Sequence, residues 1–495
     1  MSEQISEAEL WTQLGHAEGE ERANLLLELA DRKIDVRDLS AAASLLQTAA
    51  DVGREIGDAA LAGRAMDQLG RVLFSDHEPA AAAEAHGAAA DLFRDAGWDD
   101  RVAASLWALA DSLRVQGKWD EMLAVADNGL TVAEADDNEV GVANLSLQRA
   151  KALYQLDREE EALAESARAR DRFRRAEMPS GVAEVDEFAH RVCMYLGRYD
   201  EALELATNCY VLAGTTHTDV DEAMAEQRLA ETHIARQEAD EALAFADRVR
   251  ARFREKDDAV GVARAARVRG QALALMGRDR EALDAFVEAR VMFDANGWDH
   301  EARECEFLRA VRLHVLGRYG EAEAINARLA IDARQEGSPE GEAWAVMRRM
   351  DNLGAAEEWD RVVEVGQRWK DSAADVNGES VRSPRVHILA LLAFGLWAST
   401  RRDEAFEVAE EALEQITDED FDRVTALVFE VRGRYLLDSD ERAGRQELAH
   451  AVALYLAHGA VDQARELSQF FLPGPLPTER RKETPPFPGT AHESS

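Results

Sequence analysis

The stretch Gly197-Arg198-Tyr199-Asp200-Glu201-Ala202 does not stand alone. Gly317-Arg318-Tyr319-Gly320-Glu321-Ala322 copies it, as do Gly277-Arg278-Asp279-Arg280-Glu281-Ala282 and Gly117-Lys118-Trp119-Asp120-Glu121, at starts that differ by multiples of 40 residues. A fixed period of this length confines a chain to repeat architectures, in which one supersecondary unit is copied and stacked. With the glycine as anchor, the period runs through Arg37, His77, Gly117, Asp157, Gly197, Gln237, Gly277, Gly317 and Glu357. It slips only late, to the vicinity of Thr400 and of Asp438.

Columns drawn through the anchors describe one unit. Five residues on stand Ala42, Ala82, Met122, Ala162, Ala202, Ala242, Ala282, Ala322, Val362, Ala405 and Ala443. Seven residues before stand Ala30, Gly70, Ala110, Ala150, His190, Ala230, Gly270, Ala310, Met350, Ala393 and Val431. Four before stand Leu73, Leu113, Leu153, Cys193, His233, Leu273, Leu313, Leu353 and Leu396. Small residues at fixed places let two helix backbones approach, and the leucine column fills the seam. Each unit therefore reads as helix, short turn, helix, with apolar positions at helical spacing over roughly fifteen residues before the anchor. Glycine at the anchor supplies a left-handed C-cap, and acidic residues open the next helix, whose N-terminal end is positive. Pro179 and Pro339 sit at equivalent places and are expected to stop helices. The composition agrees: only 6% of residues are aromatic, and Ala, Leu, Glu and Arg are abundant, which favours helix over strand.

The pattern resembles the tetratricopeptide repeat. Gly197-Arg198-Tyr199-Asp200-Glu201-Ala202 matches that family's turn, with Ala230 and Gly270 as examples of its small first-helix residue. The resemblance covers about residues 20–460 and departs in length, 40 residues against the usual ~34. It is similar to the long-helix variety found in bacterial regulators and kinesin light chains. It implies an all-α fold: an α-solenoid of about eleven helix-turn-helix repeats forming a right-handed superhelix. The expected organisation is a capping helix within 1–19, the solenoid over 20–459, a closing helix within 460–472 and a proline-rich disordered tail over 473–495. In the first cap, Ser6 and Glu9 are spaced as a capping box, and Leu10, Trp11 and Leu14 are expected to cover the open end of the core. Residues 375–384 read as the longest internal loop, which carries the slip in period.

Charge and cysteines bound the function. The formal net charge is −39, which disfavours nucleic acid and anionic membranes as partners. Three cysteines, an odd number, fit a reducing compartment rather than a disulfide framework. All three, Cys193, Cys209 and Cys305, fall in packing columns and read as buried thiols. Residues 1–9 are polar and acidic, unlike a secretory leader, and the longest apolar run, 386–398, is short of a membrane span. The expectation is a cytoplasmic protein.

No phosphate loop, Gly-x-Ser-x-Gly, Cys-x-x-Cys or His-Glu-x-x-His occurs. The expectation is therefore no catalysis, no cofactor and no metal. His233 takes a leucine position and reads as a core histidine. His190 stands in the close-packing column, where an imidazole should push the paired helices apart or reach out of the seam. Trp98 and Trp298, each after a glycine, read as packing between neighbouring repeats.

In tetratricopeptide arrays the first helix of each pair lines the concave groove. Positions thirteen, ten, nine and six before the anchor then face it. In the middle repeats these are Asn144, Leu147, Gln148 and Lys151; Glu184, Glu187, Phe188 and Arg191; Met224, Gln227, Arg228 and Glu231; Arg264, Arg267, Val268 and Gln271. Against the acidic background this is a basic, amide-rich cluster, with Arg264, Arg267 and Gln271 on one helical face. Lys151, Arg191, Gln227, Arg228, Arg264, Arg267 and Gln271 form the candidate site, suited to an acidic or C-terminal peptide segment. The competing reading is a solvated face whose cations answer Glu184, Glu187 and Glu231. Only Asn144 and Lys151 echo the Lys/Asn set by which cochaperones of this family clamp two carboxylates, so that partner is not transferred. The expected function is a non-catalytic protein-protein interaction scaffold. The alternative is a regulatory switch that captures a peptide or another regulator, since repeats beginning near residue 20 leave no room for a DNA-binding domain. Partner identity and oligomeric state stay open.

Overall fold

A computed structural model of the chain describes residues 6–216, 219–373, 378–417 and 424–469. Every regular element among them is an α-helix, and contacts divide the chain into two units, one up to Arg236 and one from Gln237 on. The first unit holds α1 (Glu7–Leu14), α2 (Gly19–Asp35), α3 (Leu39–Glu55), α4 (Ala59–Ser75), α5 (Pro79–Ala96), α6 (Asp99–Val115), α7 (Trp119–Ala135), α8 (Glu139–Gln155), α9 (Glu159–Arg175), α10 (Pro179–Tyr195), α11 (Tyr199–Thr216) and α12 (Asp219–Ala235). The second holds α13 (Ala239–Glu255), α14 (Ala259–Leu275), α15 (Asp279–Ala295), α16 (Asp299–Val315), α17 (Tyr319–Gln335), α18 (Pro339–Ala355), α19 (Trp359–Ser372), α20 (Glu379–Ala398), α21 (Arg402–Leu413), α22 (Thr425–Leu436), α23 (Glu441–Ala457) and α24 (Val461–Ser468).

From α2 to α18 each helix has 17 or 18 residues, about 25 Å at ~1.5 Å per residue. Connections of two or three residues leave consecutive helices no choice but to pack antiparallel. One backbone device makes these turns. At Gly197 φ is 70°; the Gly197 N–H donates to the Met194 carbonyl and the Arg198 N–H to the Cys193 carbonyl, 3.3 and 2.8 Å. This is a Schellman ending, which satisfies carbonyls that a helix C-terminus leaves open. It recurs where the anchor is not glycine: Arg37, His77, Asp157, Glu357 and Thr400 hold φ between 55° and 65°. It also recurs midway between anchors, at Gly57, Gly97, Asp137, Glu177, Asp257, Gly297 and Gly337. The 40-residue period is thus two 20-residue half-periods with the same turn. The anchor near Asp438 departs: no positive φ occurs there, and the Asp440 N–H returns to the Leu436 carbonyl. Ala443 is correspondingly only half-buried, and Gly444 takes the buried place.

The motif's charges are explained at the same spot. Arg198 grips Glu201 with two bonds of 2.7 and 2.6 Å, and Arg278–Glu281 and Arg318–Glu321 repeat the grip. Being exposed and screened by solvent, each such pair adds little to stability.

The core follows the columns, with a compensation between them. A Cβ on Gly70 would meet the His86 ring at 2.5 Å, and one on Gly270 the Phe286 ring at 2.6 Å. One on Gly366 would meet Met350 Cε at 2.8 Å. The positions seven before and nine after an anchor therefore share one volume. Where one is large the other is small, and the pairs Ala110/Ala126 and Ala230/Ala246 divide it evenly, all four buried. Phe93, Phe173, Phe253 and Phe293, four residues before the second kind of turn, fill the other seam and are almost wholly buried.

Several expectations are corrected. Pro179 and Pro339 begin α10 and α18 rather than ending helices, as Pro79 begins α5; at the first helical position the missing N–H costs nothing. The loop expected over 375–384 is helix from Glu379 on, and Pro384 lies inside α20. Residues 375–377 lie outside the described residues. α20 reaches three residues further upstream of its turn than a standard repeat helix, so the slip is absorbed as an added N-terminal turn. The capping box is present, with the Ser6 N–H 2.8 Å from Glu9 Oε2 and the Glu9 N–H 3.3 Å from Ser6 Oγ. Leu10 is buried, but Trp11 is exposed and donates its indole N–H to Glu7. His190 is buried instead of reaching outward: the facing position in its hairpin is the small Ala206. The closing helix is described to Gln469, and the tail expected over 473–495 lies outside the described residues.

Candidate functional site

Within each unit the even-numbered helices form an inner layer. α2 touches α4, α6 touches α8 and α8 touches α10; in the second unit α14 touches α16, α18 touches α20 and α20 touches α22. Among the described residues, odd-numbered helices do not approach one another to that extent. All seven candidate residues lie on even-numbered helices, four in the first unit and three in the second.

In the first unit, Lys151 on α8 reaches Glu184 on α10 at 2.9 Å. Arg228 on α12 pairs with Glu187 on α10. Gln227 is buried and donates its amide to Glu231 at 3.0 Å. Arg191 is different: its guanidinium lies 5.8 Å from the centre of the Phe188 ring, and among the described residues no carboxylate pairs with it. His190 Nε2 is 2.8 Å from Thr232 Oγ1, whose own hydroxyl donates to the Arg228 carbonyl. The imidazole is thus the donor, and its Nδ1 has no partner among the described residues. Burial, then the charges of Arg228 and Arg191, push its pKa down to about 4.

In the second unit, Arg267 on α14 pairs with Glu304 on α16. Arg264 stacks over the Trp298 ring at 4.9 Å, with no carboxylate partner among the described residues. Gln271 is half-buried on the same helix. Further along, His314 Nδ1 meets Asn352 Oδ1 and His387 Nε2 meets Asp351 Oδ1, each at 2.8 Å, tying α16 to α18 and α18 to α20. Arg348 on α18 sits 6.0 Å from the Phe307 ring of α16, and its buried Nε has no acceptor among the described residues. Phe307, Trp344 and Arg348 occupy the columns that define the candidate residues, one and two repeats beyond the middle repeats in which those candidates lie.

The rest of the chemistry is quiet. Cys193, Cys209 and Cys305 are free and buried; burial raises all three thiols, Cys209 to about 11 and Cys305 to about 12. Among the described residues no group of three or more His, Cys, Asp or Glu could hold a metal ion. A recess of about 290 Å³ is lined by Arg334, Pro339, Glu342 and Trp369, but its two charged groups are bonded to each other. Among the described residues no helix is long and apolar enough to cross a membrane.

No family model and no curated protein matches the sequence. Solved structures do. A Rap protein complexed with Competence and Sporulation Factor is 12% identical, covering 74% of this chain and 99% of that one, at a TM-score of 0.41. A tetratricopeptide repeat protein from Parabacteroides merdae is 14% identical, covering 54% and 91%, at 0.38. A kinesin-light-chain-like protein with nearly identical TPR-like repeats, from Podosopora anserina, is 16% identical, covering 39% and 95%, at 0.35. The architecture stands independently of these scores, on the 40-residue period, the sequential antiparallel helix pairs and their shared turns. Those features make the chain a tetratricopeptide-like α-helical repeat protein.

Proposed function

We propose that the chain is a non-catalytic scaffold that binds a protein or peptide segment along the inner faces of its even-numbered helices. One observation carries this reading. In a chain of net charge −39, Arg191 in the first unit and Arg264 in the second rest on aromatic rings with no carboxylate partner among the described residues. Stacking uses the face of a guanidinium and leaves its N–H edges for an incoming carboxylate or carbonyl. Lys151, Arg228 and Arg267 already hold carboxylates, so they shape the faces and Arg191 and Arg264 contact the partner. Helical repeat arrays offer extended surfaces of this kind, and the acidity of the chain disfavours nucleic acid and anionic membrane as occupants. The free buried thiols accord with a cytoplasmic setting.

The test is affinity capture from native lysate with the full chain, beside Arg191→Glu, Arg264→Glu and the double variant. Neither substitution strips a carboxylate of its cation, so circular dichroism should be unchanged. A partner held by the wild type and lost by the folded variants is the expected result. Identical capture by wild type and double variant overturns the inner-face reading.

A further inference from the structure

The outer, odd-numbered helices of the second unit change character along one column. Fourteen residues after the anchor stand Asp51, Asp91, Thr131 and Asp171, then Val211, Ala251, Val291 and Ile331, then Asp371. Val291 on α15 and Ile331 on α17 are 50% and 56% exposed, and Val287, one turn before Val291, is 37% exposed. Apolar residues scattered singly over a surface need no explanation. These stand side by side in adjacent repeats, where most other repeats carry an acid, and such a row marks a surface that meets another protein. Charges alternate around it. Three residues to either side of the column stand Arg248 and Arg254 on α13, Glu288 and Asp294 on α15, and Arg328 and Arg334 on α17. Within the unit Glu288 is held by Arg250 and Arg254, Asp294 by Arg290, Arg328 loosely by Glu306 at 3.8 Å, and Arg334 by Glu342. The side chains of Glu288, Asp294, Arg328 and Arg334 still keep 34%, 45%, 65% and 54% of their surface in solvent.

We propose that the outer face of α15 and α17 pairs with the same face of a second copy of this chain. Consecutive helices are antiparallel, so α15 and α17 run in the same direction, and the 40-residue period sets their equivalent positions side by side. A two-fold axis parallel to the two helices and midway between them lays α15 of each copy over α17 of the other. Val291 then meets Ile331 of the second copy, and Val287 meets the small Ala327. Glu288 and Asp294 meet Arg328 and Arg334. Every contact occurs twice, as a self-complementary interface requires. An axis at right angles to the helices would instead lay α15 on α15 and bring Glu288 against Asp294, which like charge opposes. Charge therefore selects the axis, and the apolar row supplies the burial that exposed ion pairs alone would lack. The inner faces of the even-numbered helices stay free for the partner proposed above.

Sedimentation velocity of the full chain over ~1–100 µM should show a monomer–dimer equilibrium. Val291→Asp and Ile331→Asp put into the column the acid that other repeats carry there, so circular dichroism should be unchanged. Each should weaken association at least ten-fold, and Val211→Asp, the same change in the first unit, should leave it unaltered. Disulfide formation reads the register, since the three native cysteines are buried. Under mild oxidation an equimolar mixture of Val291→Cys and Ile331→Cys chains should give a cross-linked dimer, and neither chain alone should. A monomer at every concentration, undiminished dimers in the folded Asp variants, or cross-linking of Val291→Cys alone as fast as the mixture overturns the inference. A chain that stays monomeric but loses a lysate partner on Val291→Asp overturns it too, by giving the face to a different protein.

Discussion

At the scale of residues, volume is shared between partners, and that makes substitutions conditional. Gly270→Ala drives a methyl into the Phe286 ring, and overpacking of this kind costs about 1–3 kcal/mol. Phe286→Ala alone leaves a cavity and costs about 3–5 kcal/mol. Together they reproduce the Ala/Ala pairing of Ala110/Ala126 and Ala230/Ala246, so the double variant should lose less than the sum. Chemical denaturation of the four proteins of that cycle measures the coupling. His190 gives a pH dependence whose sign is set by burial. The folded ring stays neutral down to about 4, whereas an unfolded histidine protonates near ~6.5. Lowering the pH below ~6.5 therefore favours the unfolded chain, until the folded ring itself protonates near 4. Between about pH 7 and pH 5 the region around α10 should lose about 2 kcal/mol. Hydrogen exchange of α10 amides, corrected for intrinsic pH dependence, reads this loss, and His190→Gln should remove it.

At the scale of elements, the turn decides more than the helix. An L-residue in the left-handed region carries strain of about 1 kcal/mol, and glycine does not. Asp157→Gly and Glu357→Gly should each raise stability by about 0.5–1 kcal/mol, and Gly277→Ala should lower it by about 1 kcal/mol, as read from denaturant midpoints. The anchors are legible in sequence because several are glycine and acidic residues open the helices that follow. The second set carries glycine as often, at Gly57, Gly97, Gly297 and Gly337, but no Gly-Arg-x-x-Glu run follows it, so it does not announce itself as a repeat. Pro179 and Pro339 mislead because a proline within a polar turn reads equally as the stop of one helix and the first position of the next, and here it is the latter. The inner-face columns are readable, but their pairing is not. Glu187 meets Arg228 some forty residues on, and that partnership depends on helix stacking rather than on local spacing. The same columns, counted further along the chain, reach Phe307, Trp344 and Arg348.

At the scale of the whole molecule, charge acts in two opposed ways. Self-repulsion at −39 opposes compaction, and salt screens it, the Debye length falling from about 14 Å to about 4 Å between about 0.05 and 0.5 M. Over that range Tm should rise, by differential scanning calorimetry, while affinity for an acidic segment should fall. Parallel movement of both would mean that the bound segment is not held by charge.

The Schellman turns have a consequence for how such a chain can change over time. Arg, His, Asp, Glu and Thr all serve where Gly serves best, so the device that resets each helix asks little of any one side chain. Registration is carried by the backbone and by a few small interior residues. The outward-looking letters of the inner helices are left free to be rewritten, line by line. Such a chain can trade one partner for another, or lengthen by a whole pair of lines, without first having to learn again how to fold.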